Sequence, residues 1–263
     1  MMMIKLHLAY DGADYNGWQT QANGVGIQSV VQDAVRLMTK EKNVLIGASR
    51  TDAGVHAVGQ VAHFSTHRAI PSYGWVRGLC SILPPAITVL AARKVSADFH
   101  ARRSARWKHY RYYCCVGTVC PPFCVDRVWH LAKWPALAPM AKAARVLVGT
   151  HDFSTFAAAG DGAASKTRTI YRCRVRRVSN LLAGLPGGLV QPGLVIDCIG
   201  NGFLKQMVRN IVGTLVEIGQ GRIAQGDLAR ILRTRDRRKA GRCAPAGGLY
   251  LLKVGYGARP PMR

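Results

Sequence analysis

Ile4, Leu6, Leu8 and Tyr10 alternate with Lys5 and His7, the period of a strand with one buried face, and that strand opens an order of elements the chain spells twice. Ile27, Val30, Val31, Ala34, Val35 and Met38 recur at helical spacing. Val44 to Ile46 begins a strand expected to run to Arg50, Val58 to Ser65 reads as another, and Ser72 to Leu83 as a helix stopped by Pro84 and Pro85. Ile87 to Val95 closes this half as a strand. From Tyr110 to Val116 the order restarts, with an Ala-rich helix over Ala136 to Val148 and strands over Ile170 to Val178 and Leu194 to Ile199. A long helix over Phe203 to Gly219, a shorter one over Asp227 to Leu232 and a strand over Leu249 to Val254 follow. Apart from one additional helix, each half reads βαββαβ. That is the ferredoxin-like order, an antiparallel sheet with helices on one face. The expectation is an α+β fold of two such halves, residues 1–105 and 106–263, whose sheets join edge to edge or face each other across a cleft. The Gly- and Pro-rich stretch Leu182 to Gly193 is expected to be a long loop between two paired strands.

Lys and Arg number 37 against 13 Asp and Glu, so the formal charge is +24, an excess that calls for an anionic partner. A chain that is 49% hydrophobic carries this charge on a foldable body rather than a disordered tail. No apolar run approaches the roughly 18 to 20 residues that span a bilayer, and Lys5 and His7 interrupt any signal-peptide core. Nucleic acid is therefore favoured over membrane, and a cytoplasmic location is expected. The eight cysteines are scattered and lack a CxxC pair, which reads as free thiols. No metal site is expected: His63 and His67 are four apart without an intervening Glu, in a segment that reads as a strand and its end. A P-loop and a dinucleotide-binding glycine pattern are both lacking, so no cofactor is expected.

The densest chemical signal is Ser49-Arg50-Thr51-Asp52-Ala53-Gly54-Val55-His56-Ala57, placed between two strands where loops carry function. A nearby cation favours the charged form of a carboxylate, so Arg50 beside Asp52 suits an anionic nucleophile or base. Spacing alone equally allows a structural turn in which Asp52 bonds backbone amides ahead of Gly54. The segment SRTDAGVHAVGQVAHF resembles the signature of the bacterial tRNA pseudouridine synthase A family. YDGADYNGWQ, DFHARRSARWKHYRYY, GNGFLKQMVRNIVGTLVEIGQG and APAGGLYL resemble further blocks of that family, in the same order, over nearly the whole chain.

The resemblance implies that Asp52 is the catalytic aspartate and that Arg50 helps hold the target nucleotide out of its stack. It implies that Tyr110 packs against the target base, that Arg209 pairs with the catalytic carboxylate and that Leu249 forms the pocket floor. It further implies a cofactor-free isomerisation of uridine to pseudouridine on the 3′ side of the tRNA anticodon arm, a homodimer, and a cleft completed from both halves. Taken alone, Tyr110 and Leu249 read as core residues. Lys205, Gln206, Arg209 and Asn210 read as the solvated stripe of an amphipathic helix. The arginine-rich run Arg230, Arg233, Arg235, Arg237, Arg238, Lys239 and Arg242 is a candidate RNA surface. Ser49 stands where the family usually has Gly, and Cys80 where it usually has Asn. The rival reading is a non-catalytic basic RNA-binding or ribosome-associated protein, for which net charge suffices but which leaves the RTD loop unexplained.

Overall fold

Two units divide the chain in a computed structural model that describes residues 1–19, 24–183, 190–258 and 260. The first is Met1–Lys108 with Tyr250–Ala258, the second His109–Leu249. The class is α+β, with mostly antiparallel strands.

In the first unit β1 (Met2–Tyr10) is followed by α1 (Ile27–Thr39), β2 (Ile46–Gly47), β3 (His56–Thr66), α2 (Ser72–Ile82) and β4 (Ile87–Val95). β1 lies between β3 and β4, antiparallel to both. The alternation seen in the sequence is realised there: Ile4, Leu6, Leu8 and Tyr10 are all buried. Phe64 is the register partner of Ile4, and Trp75 of α2 meets its ring edge-on at 5.3 Å, so α2 covers that face of the sheet. The strand expected over Val44 to Arg50 is shortened to two residues, because side chains of α1 take the backbone that would have made the ladder. Gln32 Oε1 accepts from Leu45 N at 2.9 Å, and Gln28 Nε2 donates to Leu45 O at 2.8 Å. Val44 is left 63% exposed.

The second unit contains β5 (Trp107–Val116, from His109 onward), β6 (Trp129–Leu131), α3 (Leu137–Val146), β7 (Gly149–Asp152), β8 (Thr167–Val178), β9 (Gly193–Gly200), α4 (Met207–Gly219) and α5 (Leu228–Thr234). Its strands run in the order β5-β9-β8-β7, with the short β6 parallel to β5. The short strands β6 and β7 went unanticipated from periodicity. All eight residues of β9, which lies between β5 and β8, are buried.

The long helix starts at Met207 rather than Phe203. Gln206 has φ 59°, and the preceding residues are held as a loop. Lys205 N donates to Asp161 Oδ2 at 2.6 Å, and Ala158 N donates to Lys205 O at 2.9 Å. Of the loop expected over Leu182 to Gly193, the described ends are tied by Leu181 N donating to Gln191 O at 2.7 Å, while residues 184–189 lie outside the described part. The last strand, β10 (Leu249–Gly255), from Tyr250 onward belongs to the first unit. There it lies parallel to β3, Tyr250 opposite His56 and Leu251 opposite Ala57.

Candidate active site

The loop that carries Arg50, Thr51 and Asp52 joins β2 to β3 in the first unit, and bonds from distant parts of the chain hold both its ends. On the entering side the Gln60 side chain grips the backbone of Ser49, accepting from its N at 3.2 Å and donating to its O at 2.7 Å. Ser49 is 4% exposed, so the departure from Gly is accommodated inside this clamp. At the centre, Thr51 Oγ1 and the Tyr10 hydroxyl are 2.9 Å apart, and Trp18 N donates to Thr51 O at 3.0 Å. On the leaving side Val55 N donates to Asp52 O at 3.1 Å, a main-chain turn, with Gly54 at φ 76°. Gly54 N in turn donates to Tyr15 O at 3.2 Å.

The block Tyr10 to Trp18 is therefore the mould of this loop, and two of its glycines are required by contact. A Cβ on Gly12 would lie 2.1 Å from Val55 O. One on Gly17, itself at φ 86°, would lie 2.4 Å from Thr51 O and 2.9 Å from Asp52 C. His56 adds a further tie: its Nδ1 lies 3.1 Å from Gly12 N, and its ring stacks on Tyr250 of β10 at 4.6 Å. The outcome is a half-buried Asp52 beside an exposed Arg50 on a turn whose backbone has little freedom. Such preorganisation is what positions a catalytic group. The supporting residues Tyr10, Gly12, Gly17, His56 and Gln60 were not singled out from sequence. They lie in two blocks that resemble the family's, but which backbone atoms they meet is a tertiary fact.

Tyr110, Arg209 and Leu249 lie in the second unit. Tyr110, 5% exposed, stands edge-on to Phe203 at 5.2 Å. Arg209 is half-buried on α4, and its Nε donates to Ala244 O at 2.8 Å. Leu249 is 5% exposed and follows the turn Ala246–Gly248. The segment leading to Leu249 is tied to α4 and β5: Ala244 O accepts from Arg209, the Tyr112 hydroxyl donates to Pro245 O at 2.8 Å, and Gly248 packs on the Tyr112 ring.

The solvated-stripe reading holds at the exposed Lys205 and is corrected at Asn210. Asn210 is fully buried, donates to Phe156 O at 2.8 Å and accepts from Arg237 at 2.8 Å. Gly213 lets the Arg242 backbone approach where a side chain would collide with its carbonyl oxygen. Cys80, by contrast, is exposed, its Sγ 3.6 Å from Val89 O. Much of the arginine-rich run is consumed locally: Arg230 pairs with Asp227, Arg235 with Asp152 and Arg238 with Asp236, while Arg242 lies over the Trp129 ring. Among the described residues no helix is long and apolar enough to cross a membrane.

Comparison with known proteins agrees with the blocks read from the sequence. Residues 143–257 match the family model described as tRNA pseudouridine synthase. Over 256 residues the chain is 41% identical to the tRNA pseudouridine synthase A of Thermoanaerobacter sp. (strain X514), covering 97% of this chain and 100% of that protein. The tRNA pseudouridine synthase A of Moorella thermoacetica is 42% identical over 258 residues, with 97% and 100% covered. That of Blochmanniella pennsylvanica is 38% identical over 256 residues, with 97% and 94% covered.

Proposed function

The chain belongs to the tRNA pseudouridine synthase A family, and on that premise we propose that the carboxylate of Asp52 carries the isomerisation of uridine to pseudouridine in the tRNA anticodon arm, without a cofactor. The observation that carries this reading is the clamped RTD turn, whose backbone is pinned by Gln60, Tyr10, Trp18 and Tyr15 around a half-buried carboxylate. In the reaction the bond from N1 to the ribose breaks and one from C5 to the same ribose carbon forms; C5 gives up its proton and N1 gains one. Substrate and product contain the same atoms, so the balance needs no co-reactant. Asp52 acts either covalently, by attack on the ribose or on the uracil ring, or as a base toward a ribose proton. All three routes need the carboxylate fixed close to an extruded nucleotide. Extrusion costs a few kcal/mol, offset by stacking and phosphate contacts. Arg50 is assigned to holding the extruded nucleotide, Tyr110 to the target base, and Arg209 and Leu249 to the same nucleotide's pocket. The working form is taken to be a cytoplasmic homodimer.

Replacing Asp52 with Asn tests the assignment. Pseudouridine formation on an unmodified tRNA transcript should vanish while tRNA affinity changes by no more than about twofold. A variant that still forms pseudouridine at a measurable fraction of the wild-type rate removes Asp52 from the chemistry.

A further inference from the structure

Strand β8 carries arginines at 172, 174 and 176, and the period of two places all three on one face of the sheet with Cβ atoms about 7 Å apart. The register sets Arg172 opposite Ile199, Arg174 opposite Asp197 and Arg176 opposite Val195 of β9. His109 and Arg111 of β5 complete the lining of a cavity of about 130 Å³ on this face, within the second unit. Four guanidinium groups and a single carboxylate thus line one cavity.

That carboxylate is fully engaged. Asp197, whose side chain is 6% exposed, lies 2.7 Å from His109 Nε2, accepts from Arg111 Nε at 2.7 Å and accepts from Arg176 at 3.0 Å. Burial alone would raise its pKa, but the three donors override this and hold it well below the usual carboxylate range. One buried acid therefore fixes two of the arginines without neutralising the face. One nitrogen of Arg176 and the guanidinium of Arg174 remain to be accounted for. Arg176 Nε is buried with no hydrogen-bond partner among the described residues, a state that costs free energy unless a ligand supplies the acceptor. Arg174 is exposed and forms no ion pair among the described residues.

We propose that this face is a phosphodiester-binding site for the RNA substrate, the arginines at 172, 174 and 176 taking successive phosphates of one strand while Asp197 holds Arg111 and Arg176 in place. Guanidinium forks match phosphate oxygens, and the spacing along an extended strand is close to that between neighbouring phosphates. This rests on tRNA being the substrate of the family, and it is independent of which residue performs the chemistry.

The test is the salt dependence of tRNA binding by the full chain, read without turnover, so that it stands or falls separately from Asp52. Each phosphate contact contributes about 0.7 to 0.9 to the slope of log affinity against log salt. Arg174→Ala should lower that slope by about one phosphate's worth, and Arg174→Lys should retain it, since an ammonium also neutralises a phosphate. Lys94→Ala, which removes an exposed cation on β4, should leave the slope at the wild-type value. An unchanged slope for Arg174→Ala, or an equal loss for Lys94→Ala, overturns the proposal. So does a shift of Arg174→Glu between monomer and dimer in sedimentation at wild-type slope, which would assign the face to a second copy of the chain. Because Arg174 is exposed, a matched thermal midpoint for each variant shows that the slope is read on folded protein.

Discussion

Gly17→Ala probes whether the position of the RTD turn, rather than the mere presence of its residues, sets the rate. Gly17 is at φ 86°, and the new Cβ would sit 2.4 Å from Thr51 O, where ordinary contact begins at 3.4 Å. Relief therefore requires the Thr51–Asp52 backbone to move by about 1 Å, a displacement of the order that costs about 100-fold in rate when a catalytic group is misplaced. The left-handed backbone adds about 1 to 2 kcal/mol for a residue with a Cβ, and the forced contact about 1 to 3 kcal/mol. Together these lower the thermal midpoint by roughly 5 to 15 °C. The assay is the initial rate of pseudouridine formation at saturating tRNA, paired with thermal unfolding. Gly221→Ala separates the two effects: Gly221 is at φ 74° with nothing within 4 Å of its Cβ position, so it should lose stability through the backbone alone and keep its rate. A Gly17→Ala enzyme that is destabilised as expected yet turns over within about threefold of wild type would refute the argument, as would an equal rate loss in Gly221→Ala.

Acid stability gives a second check. The pKa of Asp197 is lower folded than unfolded, so its contribution is complete above the unfolded value near about 4 and is lost as pH falls below it. Asp197→Asn should cost about 1 to 3 kcal/mol at neutral pH by removing the charged acceptor shared by two half-buried arginines. It should also flatten the dependence of stability on pH below about 4; denaturant titrations over pH 2 to 7 measure both, and an unchanged pH profile contradicts the pairing. Asn210→Leu should lower the thermal midpoint by roughly 5 to 15 °C, since it deletes the bond to Phe156 O and strips Arg237 of its acceptor. A neutral effect there would mean that the stripe of α4 is solvated after all.

Local pattern determined a good deal of this protein. The alternation of Ile4 to Tyr10, the helical period of Ile27 to Met38 and the Pro84-Pro85 stop each lie within one element, so nearest-neighbour sterics and one buried face suffice to read them. The charge of +24 and the blocks around Asp52 are likewise properties of the string. The alternating arginines of β8 are legible in the same way, as every second residue of a strand. Tertiary structure decided the rest, because it depends on which distant groups compete for the same backbone. Gln28 and Gln32 take the amide and carbonyl that would have lengthened β2, and Asp161 takes the amide of Lys205 just ahead of α4. The 237–244 segment gives Arg209 and Asn210 of α4 protein partners in place of water. β10 pairs with β3, its neighbour in space rather than in sequence, and Asp197 meets arginines from two different strands. Register and partner choice are set by the summed fit of surfaces far apart along the chain, which no window of neighbouring residues contains.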